Sequence, residues 1–241
     1  MRTILFAAGL LCALSCAAQQ NTKPGLTAEQ VIEKSIAATG GRAAMEKVTS
    51  LVSKGLMGTS AGELRNTVEF CSKAPNKRLV VMFFEGVGEM RQGFDGKVAW
   101  NQMPMEEAVE LTGAQLAGVK RDAVFNPALK WRELFPKAEL RGVEKAGDRQ
   151  VYAIVLTPST GKPLTQYYDT QTFLLVRQSG NFETPQGPMD IGVEFSDYRD
   201  IGGGVKAPFQ IRQVTPMGEV FMKITEMKAN LEIDDARFVK P

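Results

Sequence analysis

Five aspartates stand where carboxylate chemistry would be sought first: Asp169, Asp197, Asp200, Asp234 and Asp235. Two carboxyl groups at the right separation can act as acid and base on a glycosidic bond. Each of these five, however, sits in a stretch that reads as a turn, where an aspartate bonds its own backbone. Asp234-Asp235 also lacks the oxygen-ligand spacing of a calcium loop. Gly202-Gly203-Gly204 has the glycine content of a phosphate loop, but no Lys-Ser/Thr follows and no helix is expected after it, so it reads as a hairpin turn. Met103-Pro104-Met105 carries two thioethers of the kind that suit copper(I). With no histidine or cysteine beside them, they read as an apolar loop gripping a lid.

The chain has 241 residues and no histidine. Ser-His-Asp and Cys-His catalysis, His-ligated metal sites and the usual titrating group near neutrality are thereby excluded. Of three cysteines, Cys12 and Cys16 fall in the N-terminal leader and only Cys71 in the body. No internal disulfide or CxxC pair is available after processing, and Cys71 reads as a small apolar filler in a strand. No catalytic residue, cofactor or metal is expected. A net charge of +2 with no Lys/Arg-rich run argues against nucleic acid. With 44% hydrophobic and 23% charged residues, a sizeable core is expected and disorder is not.

Arg2 and the apolar run Ile4 to Leu14, followed by Ser15, Cys16, Ala17 and Ala18, read as a secretory signal peptide over residues 1–18. Two processing routes stay open. Cleavage after Ala18 leaves Gln19 first, whereas lipidation at Cys16 anchors the chain to a membrane. Ala13-Leu14-Ser15-Cys16 lacks the usual leucine three residues before the cysteine. No later segment is long and apolar enough to span a bilayer.

A linker over 19–26 leads to one domain, 27–241. Thr27 with Gln30 forms a capping box, Leu26 with Val31 a hydrophobic staple, and Val31, Ile32 and Ile36 an apolar helix face ending at Thr39-Gly40-Gly41. From Val48 the period changes to two. Leu51 to Met57, Leu64 to Ser72, Lys77 to Phe84, and Glu89 to Phe94 paired through Asp95-Gly96 with Lys97 to Asn101 read as strands. Leu111-Thr112-Gly113-Ala114-Gln115-Leu116 repeats the helix-start code, and Asn126-Pro127 begins a second short helix that ends before Pro136. These two inserted helices are expected to form a lid or plug. A meander follows, with the Tyr167-Tyr168 hairpin expected at its centre. Ile191, Val193 and Phe195 share a face, as do Phe209 and Ile211, and Val220, Met222 and Ile224. Glu194, Ser196, Gln210, Arg212, Lys223 and Thr225 take the other. Roughly ten or eleven strands in one sheet must curl.

The fold class is therefore α+β: a strongly curved antiparallel sheet, a half-open barrel, with an N-terminal helix and helices inserted mid-chain. Several segments support a resemblance: G-F-D-G-K-V-A-W from Gly93, Y-Y-D-T-Q-T-F-L-L-V-R from Tyr167, F-S-D-Y-R-D from Phe195, V-K-A-P-F from Val205 and I-D-D-A-R-F-V-K-P from Ile233. With this order of elements the chain resembles the LolA/LolB-like lipoprotein-carrier superfamily. The resemblance implies a non-enzymatic exported protein, periplasmic or outer-membrane-associated, that binds a lipid or lipoprotein acyl chain in an apolar cavity. Adaptable methionines suit such a ligand. Phe84, Trp100, Ile154, Leu156, Val193, Phe195, Ile211 and Met222 are the expected lining. The alternative is a sensor or scaffold that binds an envelope protein partner and has no open cavity.

Overall fold

A computed structural model describes residues 25–60, 62–184 and 187–241. The leader, its two processing routes and Cys16 lie outside these residues.

Helix α1 (Ala28–Ala38) starts as its sequence requires. The Thr27 hydroxyl accepts from the Gln30 amide at 3.2 Å, and the Gln30 side chain accepts from the Thr27 amide at 2.9 Å. A short α2 (Arg42–Glu46) precedes six strands: β1 (Ser50–Gly58), β2 (Asn66–Lys73), β3 (Lys77–Phe84), β4 (Gly88–Phe94), β5 (Ala99–Gln102) and β6 (Val109–Glu110). The insertion holds α3 (Gly113–Asp122), a 3-10 turn Pro127–Lys130 and α4 (Trp131–Leu134). Neither expected cap in this insertion forms. The Thr112 hydroxyl makes no capping bond, because Gly113 begins the helix at φ 55°, a left-handed entry foreign to a capping box. Asn126 instead donates to the Met45 carbonyl at 2.8 Å, tying the insertion to α2.

Seven strands complete the chain: β7 (Lys137–Ala146), β8 (Arg149–Thr157), β9 (Leu164–Asp169), β10 (Leu175–Thr184), β11 (Gly187–Asp200), β12 (Lys206–Thr215) and β13 (Gly218–Ala229). All thirteen form one antiparallel sheet in the order β6-β5-β4-β3-β2-β1-β13-β12-β11-β10-β9-β8-β7. The count exceeds the expected ten or eleven. One addition is β6, two residues long and too short to show a period. The Tyr167-Tyr168 hairpin, β9–β10, lies at the centre of the β7–β13 meander as expected, while pairing of β1 with β13 puts the chain's two ends in the middle of the whole sheet.

The sheet is curved and unclosed, and α3 shows which way it bends. Strands β5 and β10 are eight steps apart, roughly 38 Å if the sheet were flat. A ten-residue helix is only about 15 Å long, yet α3 contacts both strands. The sheet therefore bends toward α3, and the face that carries it is the inner one. Register extends that assignment. Phe94 and Ala99, which pack on Val119 and Ala123 of α3, are register partners. Following the pairs across the sheet, with two-residue steps along the strands, puts Val80, Val68, Met57, Met222, Ile211, Phe195, Gln178, Gln166 and Ile154 on the same inner face, with Arg78 beside Phe94.

On the outer face the C-terminal segment closes over β2, β3 and β5. Ile233 and Phe238 pack with Cys71, Leu79 and Trp100. Asp235 fixes the segment by accepting from Lys73 at 2.8 Å and Lys77 at 2.5 Å. These hydrogen bonds lower its carboxyl to about 2. A folded-state value below the unfolded one, about 3.9 for aspartate, means the contribution is complete above that pH and is lost as pH falls toward 2. Acid titration of the urea midpoint should thus fall more steeply for the native chain than for Asp235→Asn between pH 4 and 2. Parallel curves would refute the latch. Cys71 beneath it is fully buried, and burial, with its hydrogen bond to Glu69, pushes the thiol up to about 12. It is a filler, as its sequence context suggested.

Candidate functional site: an apolar inner row and a cationic outer cleft

The eight expected lining residues separate into three groups. Phe195, Ile211 and Met222 are direct register partners on β11, β12 and β13. Val193, two residues from Phe195, is on the same face opposite Gln213, and all four are half-buried. Phe84 and Met222 pack on the buried residues Met57, Val68 and Val80, joined by Phe70, Met82 and Val220. Among the described residues this cluster is built from strand residues alone. The inner row is therefore a continuous apolar strip from β3 across β2, β1, β13 and β12 to β11.

Ile154 and Leu156 belong elsewhere. They sit beneath α1 with Val31, Ile32, Ile36, Trp131 and Phe135, at 0% and 1% exposure. They are inner-face residues, but α1 occupies the space above them. Trp100 faces the opposite way. Its ring lies on the outer face against Cys71, Leu79 and Phe238, and its Nε1 donates to the Phe238 carbonyl at 2.9 Å. It is a core residue of the C-terminal latch and does not line the inner face.

The inner row also holds Phe70, which the sequence did not single out, and Met82, one of its adaptable methionines. In β3, Leu79 to Phe84 is apolar on both faces, so alternation could not tell inner from outer there. Leu79 lies under the latch while Val80 and Met82 face inward.

The outer row carries the polar side chains anticipated from alternation, and Glu194 and Arg212 among them form a network with Glu219. Arg212 donates to Glu194 at 2.8 Å and to Glu219 at 3.0 and 2.5 Å, and lies 5.8 Å from the Phe221 ring. These hydrogen bonds hold the Glu219 carboxyl below its ordinary value and raise the guanidinium. A cleft of about 700 Å3 runs along β10–β13, bounded by Arg149, Arg177, Arg212, Lys223 and Glu194 with Leu64 and Phe221. Phe195, Ile211 and Met222 of the inner row also border it. Arg149 and Arg177 went unnoticed in the sequence because they are distant there and border one cleft only once β8 and β10 are joined through β9.

The five aspartates are each engaged in folding. Asp169 accepts from the amides of Gln171 and Thr172, Asp200 from Gly202 and Asp234 from Ala236. Asp197 pairs with Arg199, and Asp235 with the two lysines. Gly202, Gly203 and Gly204 all have positive φ in the β11–β12 turn, as a hairpin turn requires. Met103-Pro104-Met105 does not grip a lid. Pro104 packs at the β3–β4 turn beside Gly88, and Met105 is fully exposed. Among the described residues, no group of three His, Cys, Asp or Glu side chains could hold a metal, and no helix is long and apolar enough to cross a membrane.

No family model and no curated protein sequence matches the chain. Solved structures do. A LolA superfamily protein from Nitrosomonas europaea superposes with a TM-score of 0.58 at 18% identity, covering 90% of this chain and 99% of that one. A DUF1329 family protein from Desulfovibrio piger gives 0.60 at 15%, covering 88% and 97%. A domain classed as outer membrane lipoprotein-sorting, from Vibrio parahaemolyticus, gives 0.58 at 11%, also covering 88% and 97%. The likeness extends over nearly the whole described chain and over nearly all of each neighbour, so the chain has the LolA-like fold.

Proposed function

We propose that the protein is a non-enzymatic carrier of the bacterial envelope, exported by its leader, that holds a lipid or lipoprotein acyl chain against the inner row. The observation that carries this reading is the largely apolar strip of the inner face from Phe84 to Val193, buried at Met57, Val68 and Val80 and half-buried at Met222, Ile211, Phe195 and Val193. An alkyl chain laid on it would exchange water for methylene contacts at about 0.8 kcal/mol per buried CH2. Phe84, Val193, Phe195, Ile211 and Met222 are the contact residues; Trp100, Ile154 and Leu156 are not. Lipoprotein sorting, the class given to the Vibrio neighbour, is a use that such a strip suits. The leader leaves either a chain starting at Gln19 or an anchor at Cys16, and the carrier reading holds for both.

Val193→Asp tests it by placing a charge on the strip. Uptake of a fluorescent fatty acid should fall at least tenfold while urea unfolding stays cooperative, because a carboxylate in an apolar contact is costly unless paired. Unchanged uptake in the folded variant would move the ligand off this strip. If the native chain takes up nothing, the sensor or scaffold reading replaces the carrier.

A further inference from the structure

We propose that the outer cleft is a binding site for an anionic head group joined to an apolar chain, with a phosphate monoester as the matching chemistry. The cleft lies on the face opposite the acyl strip, so this inference goes beyond the carrier reading and does not depend on it.

Register places the cleft. Glu194, Arg212 and Phe221 are successive partners on β11, β12 and β13, as are Ser196, Gln210 and Lys223. All six are outer-row positions. Leu64 belongs to the same side: a Cβ on Gly58, the partner of Phe221, would lie 3.3 Å from it, so the β1–β2 loop folds onto that face. The Ala146–Arg149 end of the β7–β8 hairpin closes the cleft from the far side. At about 700 Å3 the space matches that of a small-molecule site.

The charge on its walls is unbalanced. Arg212 with Glu194, the register partner of Arg177, and Glu219 carries one net negative charge, so the three remaining cations bring the group to a net +2. Arg149, Arg177 and Lys223 form no ion pair with any described residue. The carboxylates whose fields they do reach are already committed. Asp169, near Arg149, accepts three hydrogen bonds from Gln171 and Thr172, and Asp197, near Lys223, is paired with Arg199. Arg177 is held over the Tyr167 ring at 5.5 Å, which limits its orientations. Two guanidiniums and an ammonium around one concavity suit a group with three anionic or acceptor oxygens, since arginine binds phosphate through paired N–H donors. Phe221 and Leu64 give the attached chain an apolar surface, which a bare anion would leave unused.

Calorimetric titration with hexyl phosphate, hexanol and inorganic phosphate separates the possibilities. Hexyl phosphate should bind at least tenfold tighter than either of the others. Arg149→Gln/Arg177→Gln should erase that preference. Lys47→Gln/Lys97→Gln, the same charge change on exposed lysines outside the cleft, should keep it, with circular dichroism checking the fold of both. Inorganic phosphate binding as tightly as hexyl phosphate would assign the cleft to the free anion and overturn the amphiphile. Equal losses in both double variants would reduce the effect to overall charge, and no binding of hexyl phosphate would overturn the site. Val193→Asp should leave hexyl phosphate affinity unchanged; its loss there would put the ligand on the inner strip instead.

Discussion

Trp100→Ala is expected to lower folding stability by about 3–5 kcal/mol, read from equilibrium urea unfolding, as truncations of a large buried aromatic do. The side chain is 1% exposed and packs on Cys71, Leu79, Ile233 and Phe238. Two losses combine. A cavity opens under the C-terminal segment, and the Phe238 carbonyl loses the indole donor that satisfies it at 2.9 Å. Trp100→Phe separates them, keeping most of the packing and removing the donor, for about 1–2 kcal/mol. The backbone at Gly93 reinforces the fit, since a Cβ there would lie 2.3 Å from the ring. Uptake by the inner strip should be unchanged in Trp100→Phe, because the ring is on the other side of the sheet. A stability loss under about 1 kcal/mol for the alanine variant would mean that the latch does not cover the ring in solution.

Ile154→Ala is the second large effect, expected at about 2–5 kcal/mol. Ile154 has no exposed surface and lies under Val31, Ile32 and Ile36 of α1 with Trp131 and Phe135 beside it. Nothing can relax freely into the space, because α1 is held at its N-terminus by the capping box and at its C-terminus by the Lys206 amide donating to Thr39. Fatty-acid affinity should remain within a factor of two of the native value, about 0.4 kcal/mol. An affinity loss without the stability loss would show instead that α1 lifts and that Ile154 meets the ligand.

Ile154 and Trp100 mark the point at which the sequence stopped being legible. Both are large, apolar and in strands, which is all that alternation reports. In β8, alternation does place Ile154 and Leu156 on one face, but it cannot say that a helix more than a hundred residues earlier lies over them. Strand β5 has only four residues, so its phase is undetermined, and the cover on Trp100 is supplied from position 238. Local features fared better. The capping box of α1 rests on partners three residues apart, and both its hydrogen bonds form. The Asp169 turn of the Tyr167-Tyr168 hairpin closes through the Gln171 and Thr172 amides, again within three residues. The Thr112 code failed because one glycine torsion, not readable from residue types, turned the chain out of capping geometry.

The sequence by itself determined the class of the fold, the alternation of β11, β12 and β13, the start of α1 and the absence of imidazole chemistry. These depend on residue type, or on interactions a few residues long whose geometry the backbone already restricts. Tertiary structure decided which face was inner, that the chain's two ends would pair as β1 and β13, that three expected lining residues would be covered, and that Arg149, Arg177 and Lys223 would surround one cleft. Those outcomes depend on how far a thirteen-stranded sheet bends and what then reaches across it. Curvature sums the twist of every strand pair, so no single stretch of sequence encodes it.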